Sequence, residues 1–462
     1  MKLDVKVKNL GKIRDATFNI RPMTVITGPN GTGKSFFTKS LYSILNVINK
    51  NVYHESAKQT IRQIQLLLKT LIDNIAYVGT HDFEVTEGIK INFDNLQNEF
   101  EEASSWKIDD YLAFATSKVI AVESMRILYA KYLDELNSKP TKINSIRGIS
   151  EAINRNFENF LLQLKNPQKY YADFFATHIE NELKDNFQIS TLSELISFGA
   201  EKIEIEVDEL LVIELSGNKR FFNLGTDFID EVSRLSSVVF FESPAYWKVR
   251  DALKSAKNNQ NRPRLIGKKN NDVLTGVPKY FYDLDDALNT KTKTSGAFKK
   301  ATDLLESTLG GEFIFKGDNL SFKDKDGREI SKHLVSFGMT NLGMIQALLK
   351  HNVITQGSFV FIDEPETNLH PDWQVKLVDV LLMLANGGIN VVITTHSSDL
   401  VKALEVNLKM QQIESMEDFL SVHFVDLDGK LLKFESEDSL QQLIEARELL
   451  SLAYQQLYFS DL

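Results

Sequence analysis

Eight residues near the amino terminus, Gly28-Pro-Asn30-Gly31-Thr32-Gly33-Lys34-Ser35, constrain the fold of this chain more than any others. Before them, Met23-Thr-Val-Ile-Thr27 reads as a short buried strand, and after them Phe36 to Ile48 reads as an apolar-rich helix. Glycines at 28, 31 and 33 let backbone N–H groups turn inward, and a helix beginning near Lys34 points its positive dipole end at the same place. The strand, glycine loop and helix together predict a phosphate-binding loop. In such a loop residues Gly28, Asn30, Gly31, Thr32, Gly33 and Lys34 surround the phosphates of ATP, Lys34 reaches the β- and γ-phosphates, and the Ser35 hydroxyl ligates Mg²⁺. A chance glycine turn matches the same pattern, so the rest of the chain has to decide.

Two further segments carry the chemistry that such a loop requires. Phe359-Val-Phe-Ile362 is an apolar run ending in Asp363-Glu364, a buried strand delivering two carboxylates at its C-terminal end in a Walker B pattern. Asp363 is placed to hold Mg²⁺, and Glu364 to polarise the attacking water as general base. Asn390-Val-Val-Ile-Thr394 is the next buried strand and ends in Thr395-His396-Ser397. His396 alone would read as a satisfied core histidine; in this order it reads as a group that contacts the γ-phosphate.

The segment Leu334-Val-Ser336-Phe-Gly338-Met-Thr-Asn341-Leu-Gly343, upstream of Asp363, resembles the signature of ABC/SMC-type ATPases. Transporter ATPases carry Ser-Gly-Gly-Gln there. The form in this chain, with Glu364-Pro-Glu366-Thr-Asn368-Leu-His370-Pro371 after Walker B, is similar to that of the overcoming-lysogenization-defect-like ATPases (AAA_15/AAA_21). The resemblance implies an α/β fold, an ABC/SMC-type P-loop head, with Ser336 and Gly338 completing the ATP site of the opposite protomer and the 364–371 segment crossing the dimer seam. Read from the residues alone, Ser336 and Gly338 could equally cap a helix over Met339 to Lys350, and Pro371 could open a helix over Asp372 to Ala385. Lys8-Asn-Leu-Gly-Lys12-Ile-Arg14-Asp resembles the family's opening hairpin, with Lys12 or Arg14 on the adenine side. A glutamine of the kind that links Mg²⁺ to the insertion in ABC ATPases has no identifiable place.

Composition limits the class. At 462 residues and 43% hydrophobic content, more than one folded unit is expected. The absence of cysteine excludes disulfides and the C-x-x-C zinc hook of long-armed DNA-repair relatives. No charged-then-apolar leader and no bilayer-length apolar run is found, so a cytoplasmic protein without a membrane partner is expected. The net charge of −10 argues against a surface that coats nucleic acid. A local exception is the run of Lys254, Lys257, Arg262, Arg264, Lys268 and Lys269, followed by Lys291, Lys293, Lys299 and Lys300. It reads either as a solvated loop or as a surface for a polyanion or acidic partner.

Residues 1–50 are expected to form the first part of the ATPase core, 51–200 a helical insertion, and 201–462 the rest of the core, with a basic loop at 254–300 and a C-terminal helix. Ile61, Ile64, Leu68, Leu71 and Ile75 repeat at helical spacing, as do Val119, Val122, Met125, Tyr129, Tyr132 and Leu136, and Phe157, Phe160, Leu161 and Leu164. Interruptions at Asn92 to Glu99 and at Lys139-Pro140 predict a compact insertion, not an SMC arm. Residues 202–207 and 210–215 predict a hairpin, Val238 to Phe241 a buried strand, and Glu312 to Phe315 with Leu320 to Phe322 edge strands. The stretch after His396 reads as too short for the Toprim nuclease domain of the overcoming-lysogenization-defect proteins. Its Asp426-Leu-Asp428-Gly429 reads as a turn between strands Leu420 to Val425 and Lys430 to Phe434.

Among relatives without an effector of their own, the chain resembles the ATPase subunit of two-gene anti-phage defence systems of the PARIS kind. That implies an ATP-driven homo-oligomer that holds a separate effector protein. A DNA-repair or chromosome-maintenance ATPase, with the basic run on DNA, is the alternative; a transporter ATPase fits the signature less well.

Overall fold

The computed structural model describes residues 1–74, 79–104, 106, 108–137, 140–208, 210–216, 219–224, 235–242, 245–260, 276–289, 298–316 and 319–460. By their contacts they divide into two compact units, Met1–Asn49 with Ile179–Leu462, and Lys50–His178.

The first unit opens with strands whose alternating pattern leaves one face for the core. β1 (Leu3–Leu10) and β2 (Ile13–Ile20) pair as an antiparallel hairpin, β3 is Met23–Thr27, and β4 (Ile203–Val207), β5 (Leu211–Ser216) and β6 (Lys219–Leu224) extend the hairpin into a sheet of order β2-β1-β4-β5-β6. The expected hairpin over 202–215 is β4 and β5, antiparallel in register Ile205↔Ile213. Continuous apolar runs make a different sheet, because both of their faces must be covered. β7 (Val238–Phe241), β11 (Phe359–Asp363), β12 (Asn390–Thr395) and β13 (Leu420–Phe424) join β3 in the order β13-β3-β12-β11-β7, every neighbouring pair parallel. β8 (Gly311–Lys316), β9 (Asn319–Asp324) and β10 (Glu329–Ser331) form a third, three-stranded antiparallel sheet. The residues expected as edge strands at 312–322 therefore belong to a meander of their own.

Helix α1 (Lys34–Ile48) follows β3 and buries Phe37, Leu41, Tyr42, Ile44 and Leu45. Phe37 stacks on Phe18 of β2 at 3.8 Å between centroids, which ties the helix to the antiparallel sheet. Residues from Ile179 to the expected boundary at 200 group with the sheets. The reason is visible in the hydrogen bonds: Gly11 N–H donates to Leu195 O at 2.8 Å and Ser197 N–H donates to Asn9 O at 2.9 Å, so this loop is fastened to the opening hairpin. The C-terminal helix Ser439–Ser460 packs on helix Ser398–Met410 and on β13, burying Leu443 and Ala446. After β13 the expected second strand is reduced to one bridge, Val425↔Leu431, with Gly429 at φ 79° closing the turn.

The second unit is helical: α2 (Val52–Asn74), α3 (Thr80–Ala103), α4 (Ile108–Ser117), α5 (Val119–Asn137), α6 (Pro140–Lys165) and the first part of α7 (Pro167–Phe187). α2 packs on α3 and α6, and α5 packs on the same two helices. The seam Ile61, Ile64, Leu68 and Leu71 is buried; Ile75 lies outside the described residues. The interruption expected at Asn92 to Glu99 is absent, since α3 runs through it. Phe93, Leu96 and Phe100 recur at three and four residues and are buried, and that packing outweighs the weak helix propensity of Asn92 and Asn95. Pro140 opens α6 at its first position, where a missing N–H does no harm.

Phe157 sits at the centre of this unit, fully buried between Phe93 and Tyr129, with centroids 5.5 and 5.9 Å away. Phe157→Ala is expected to destabilise the unit by about 3–5 kcal/mol, seen as a lower urea midpoint by far-UV circular dichroism.

Candidate active site

Three adjacent parallel strands release the predicted site residues from the same edge of the sheet. The register pairs Thr395 of β12 with Thr27 of β3, and Asp363 of β11 with Thr394 of β12. The glycine loop after β3, the carboxylates after β11 and His396 after β12 are neighbours by strand order alone, as expected at the carboxyl ends of a parallel α/β sheet.

The loop itself is built on left-handed backbone. Gly28, Gly31 and Gly33 have φ of 131°, 71° and 107°. At Gly28 a Cβ would lie 2.1 Å from the Val425 carbonyl oxygen, so this position requires glycine on space as well as on conformation. Gly33 precedes the first turn of α1, and its carbonyl accepts from Phe37 N–H at 3.0 Å. Asn30 lies at the exposed crest of the loop, and the Thr32 hydroxyl donates to Pro29 O at 3.1 Å. Lys34 is buried and donates to Gly28 O at 2.9 Å and Pro29 O at 2.7 Å. Burial pulls the Lys34 ammonium down to about 8, against the opposing pull of Asp363, Glu364 and Glu366.

Ser35 donates to Asp363 Oδ1 at 3.0 Å, and Thr394 Oγ1 donates to the same oxygen. Burial pushes the Asp363 carboxyl up from its ordinary range; the hydrogen bonds from Thr394 and Ser35 act against that shift, and the Glu242 charge adds to it. A hydroxyl and a carboxylate oxygen are hard donors of the type Mg²⁺ takes, and so few protein donors suit an ion that keeps waters and binds through substrate phosphates. The residues therefore fit Mg²⁺, which Ser35 and Asp363 would hold. Glu242, one residue past β7, is bound by Lys39 at 2.9 Å and accepts from the Tyr280 hydroxyl. Register sets Phe241 beside Ile362, so Glu242 follows alongside Asp363.

Glu364 has φ 51°, an uncommon conformation for a residue with a side chain, and its N–H donates to Thr394 O at 3.0 Å. Its carboxylate lies 3.2 Å from His396 Nε2, while His396 Nδ1 lies 2.8 Å from Gly28 O. A carbonyl only accepts, so Nδ1 carries the hydrogen in that contact. The imidazole thus lies between the glycine loop and Glu364. Glu366 fixes its backbone, accepting from His396 N–H at 3.0 Å and from Thr395 Oγ1 at 2.7 Å.

Ser336 is exposed and caps helix Phe337–Lys350, its hydroxyl accepting from Met339 N–H at 3.2 Å. Gly338 is buried against the 364–370 segment: a Cβ there would lie 2.6 Å from Asn368 O, and Asn341 Nδ2 donates to Pro365 O at 3.2 Å. Helix Pro371–Asn386 starts at Pro371, with His370 as its cap.

The structure brings Lys34, Ser35, Asp363, Glu364 and His396 together and sets Ser336 apart on an exposed helix start. No sequence motif marks Glu242, Lys39, Tyr280 or Thr394, and Glu366 is marked only as part of the 364–371 segment. Glu242 lies one residue beyond β7 as Glu364 lies one residue beyond β11. Arg14 donates to Phe198 O at 3.2 Å. Of the basic run, Lys254 pairs with Asp285 at 3.1 Å, while residues 261–275 and 290–297 lie outside the described residues. Asp426 and Asp428 lie on the turn closed by Gly429, where Asp426 N–H donates to Lys430 O at 2.9 Å. No helix among the described residues is long and apolar enough to cross a membrane.

A family model for AAA_15, AAA ATPase domain, matches residues 1–401. Old nuclease of Escherichia phage P2 is 23% identical over 421 residues, covering 86% of this chain and 57% of that protein's length. Among solved structures, the SMC head domain from Thermotoga maritima aligns at a TM-score of 0.35 and 12% identity, covering 94% of this chain and 100% of that one. The Smc head domain with an extended coiled coil from Pyrococcus furiosus, bound to the C-terminal domain of ScpA, aligns at 0.40 and 11%, covering 97% and 98%.

Lys34 gives the site a pH signature. The unfolded chain keeps this proton up to about 10.5 and the folded chain loses it near 8. Folding therefore releases a proton between those values, and stability rises with pH across that window. Urea titrations of the protein without nucleotide at stepped pH are expected to show this rise, and Lys34→Met to remove it.

Proposed function

Because the chain belongs to the AAA_15 family of AAA ATPase domains and is a P-loop ATPase, we propose that it works as an ATP-dependent switch. In this reading two heads close around nucleotide, and the closed pair controls a separate effector protein. The observation that carries the reading is the division of the site residues. Lys34, Ser35, Asp363, Glu364 and His396 converge, while Ser336 stands exposed on a helix start whose dipole favours an anion. A second copy can bring that helix start to the γ-phosphate.

In hydrolysis, the loop N–H groups and the Lys34 ammonium hold the β- and γ-phosphates, and α1 adds its dipole. Ser35 and Asp363 would hold Mg²⁺, which when bound would supply positive charge against the phosphate oxygens. Glu364 accepts a proton as the water oxygen bonds to the γ-phosphorus and the bond from that phosphorus to the bridging oxygen breaks, leaving ADP and phosphate. His396, 3.2 Å from Glu364, is placed to contact the γ-phosphate beside the base. Asn341 and Gly338 lock the signature helix to the 364–370 segment. A shift at Glu364 is thereby felt at Ser336, which gives nucleotide two head arrangements to choose between.

The finer reading is that the effector acts in anti-phage defence. It is supported by the likeness to a phage protein named as a nuclease, over 57% of that protein's length, and by a second compact unit, Lys50–His178, that contains none of the candidate site residues.

Three outcomes are expected. Glu364→Gln should lower ATP hydrolysis by ~10²-fold or more while retaining ATP binding, and Lys34→Ala should lose binding; wild-type turnover in Glu364→Gln contradicts the base assignment. Mixing Lys34→Ala with Ser336→Arg should restore hydrolysis, since some mixed pairs then hold one intact site; no recovery under demonstrated subunit exchange contradicts a shared site. The isolated chain with Mg²⁺ and ATP should leave DNA and tRNA uncut. Cleavage lost in Asp426→Ala/Asp428→Ala but kept in Asp363→Ala/Glu364→Ala contradicts a separate effector.

A further inference from the structure

The loop that presents Ser336 is held from outside its own helix. It is short: a single turn, Lys332–Leu334, then Val335, then the capping Ser336. The carbonyls of Lys332 and Val335 both accept from one side chain. Lys248, the last residue of the short helix Ala245–Lys248, donates to Lys332 O at 2.6 Å and to Val335 O, and its ammonium lies 5.5 Å from the centre of the Phe337 ring. One lysine therefore touches the residue before Ser336, the residue after it, and the start of the loop.

The base of this clamp is rigid. Trp247 is buried and packs edge-on against Phe281 at 5.2 Å. Two residues past Lys248, Arg250 is fully buried and pairs with Asp285, which Lys254 also binds at 3.1 Å. Lys332, itself buried, reaches back to Asp251 at 2.6 Å, so loop and base are joined twice. Burial lowers the Lys248 ammonium from the ordinary lysine range. The clamped loop still leaves Ser336 exposed, with Leu334 on one side at 81% and Phe337 on the other at 43%.

We propose that Lys248 is a positioning residue for the ATPase reaction: by fastening the Lys332 and Val335 carbonyls it sets the loop that offers Ser336 to the nucleotide of a second copy. The proposal rests on the reading in which Ser336 acts across the head pair. Lys248 touches no residue of the glycine loop, so its loss should leave ATP binding by the single head in place and impair the closed pair. A loop displaced by about 1 Å is enough to lower a rate of this kind by ~10²-fold.

The test compares Lys248→Met, which keeps an unbranched side chain one atom shorter and loses its donors, with Lys248→Arg, which restores them. ATP affinity of Lys248→Met, read by equilibrium dialysis, is expected within about threefold of wild type, with turnover at saturating ATP lowered about tenfold or more and partly regained in Lys248→Arg. Mixing Lys248→Met with Lys34→Ala should restore hydrolysis, because one site of the mixed pair then takes its glycine loop from the first chain and its signature from the second. Wild-type turnover in Lys248→Met overturns the proposal. So does a failed mixture when Ser336→Arg mixed with Lys34→Ala recovers, since Lys248 then acts within its own head. Failure of both mixtures overturns the shared-site reading and the proposal with it. If Lys248→Met loses ATP binding through unfolding, Lys248→Gln takes its place in each comparison, and wild-type turnover there is equally decisive.

Discussion

The pairing of β12 with β3 on one side and β11 on the other is the constraint from which the site follows. It places Thr395 beside Thr27 and Asp363 beside Thr394, and a one-residue slip in either pair would turn the carboxylates and the imidazole away from the glycine loop. Side chains complete what the register begins. Ser35 and Thr394 both donate to Asp363, so the first turn of α1 and the ends of two strands meet at one carboxylate oxygen. That oxygen is buried among donors, which is why its carboxyl can be pushed upward by burial and still remain satisfied.

The same region stores conformational strain where a switch would use it. Glu364 and Asn368 both occupy left-handed backbone without being glycine, a condition of order 1–3 kcal/mol each that persists only when the surroundings fix it. Thr394 holds the Glu364 N–H, Gly338 closes on Asn368, and Asn341 holds Pro365. The segment between the carboxylates and helix Pro371–Asn386 is thus pinned at several points, and the signature helix is one of the pins.

Much of this was legible in the sequence because the motifs are local. A glycine loop between a strand and a helix, and apolar runs ending in Asp363-Glu364 or Thr395-His396, carry their own geometry, and the structure sets them side by side. Readings that depended on long-range packing fared differently. Asn92 to Glu99 looked like a break because asparagine disfavours helix interiors, yet Phe93, Leu96 and Phe100 find partners across the helical unit. Glu242 and Lys248 had no motif to mark them. Their importance comes from strand register and from a contact with carbonyls 84 and 87 residues away, neither of which a linear pattern encodes.

If one chain holds most of an ATP site and a second copy completes it, bound ATP must join two heads. Light-scattering mass of the Glu364→Gln protein, with and without ATP and Mg²⁺, reads this while nucleotide is only slowly consumed. The mass is expected to double with ATP, and Ser336→Arg in the same background to abolish the doubling; an unchanged monomer mass with ATP demonstrably bound rules out a shared site.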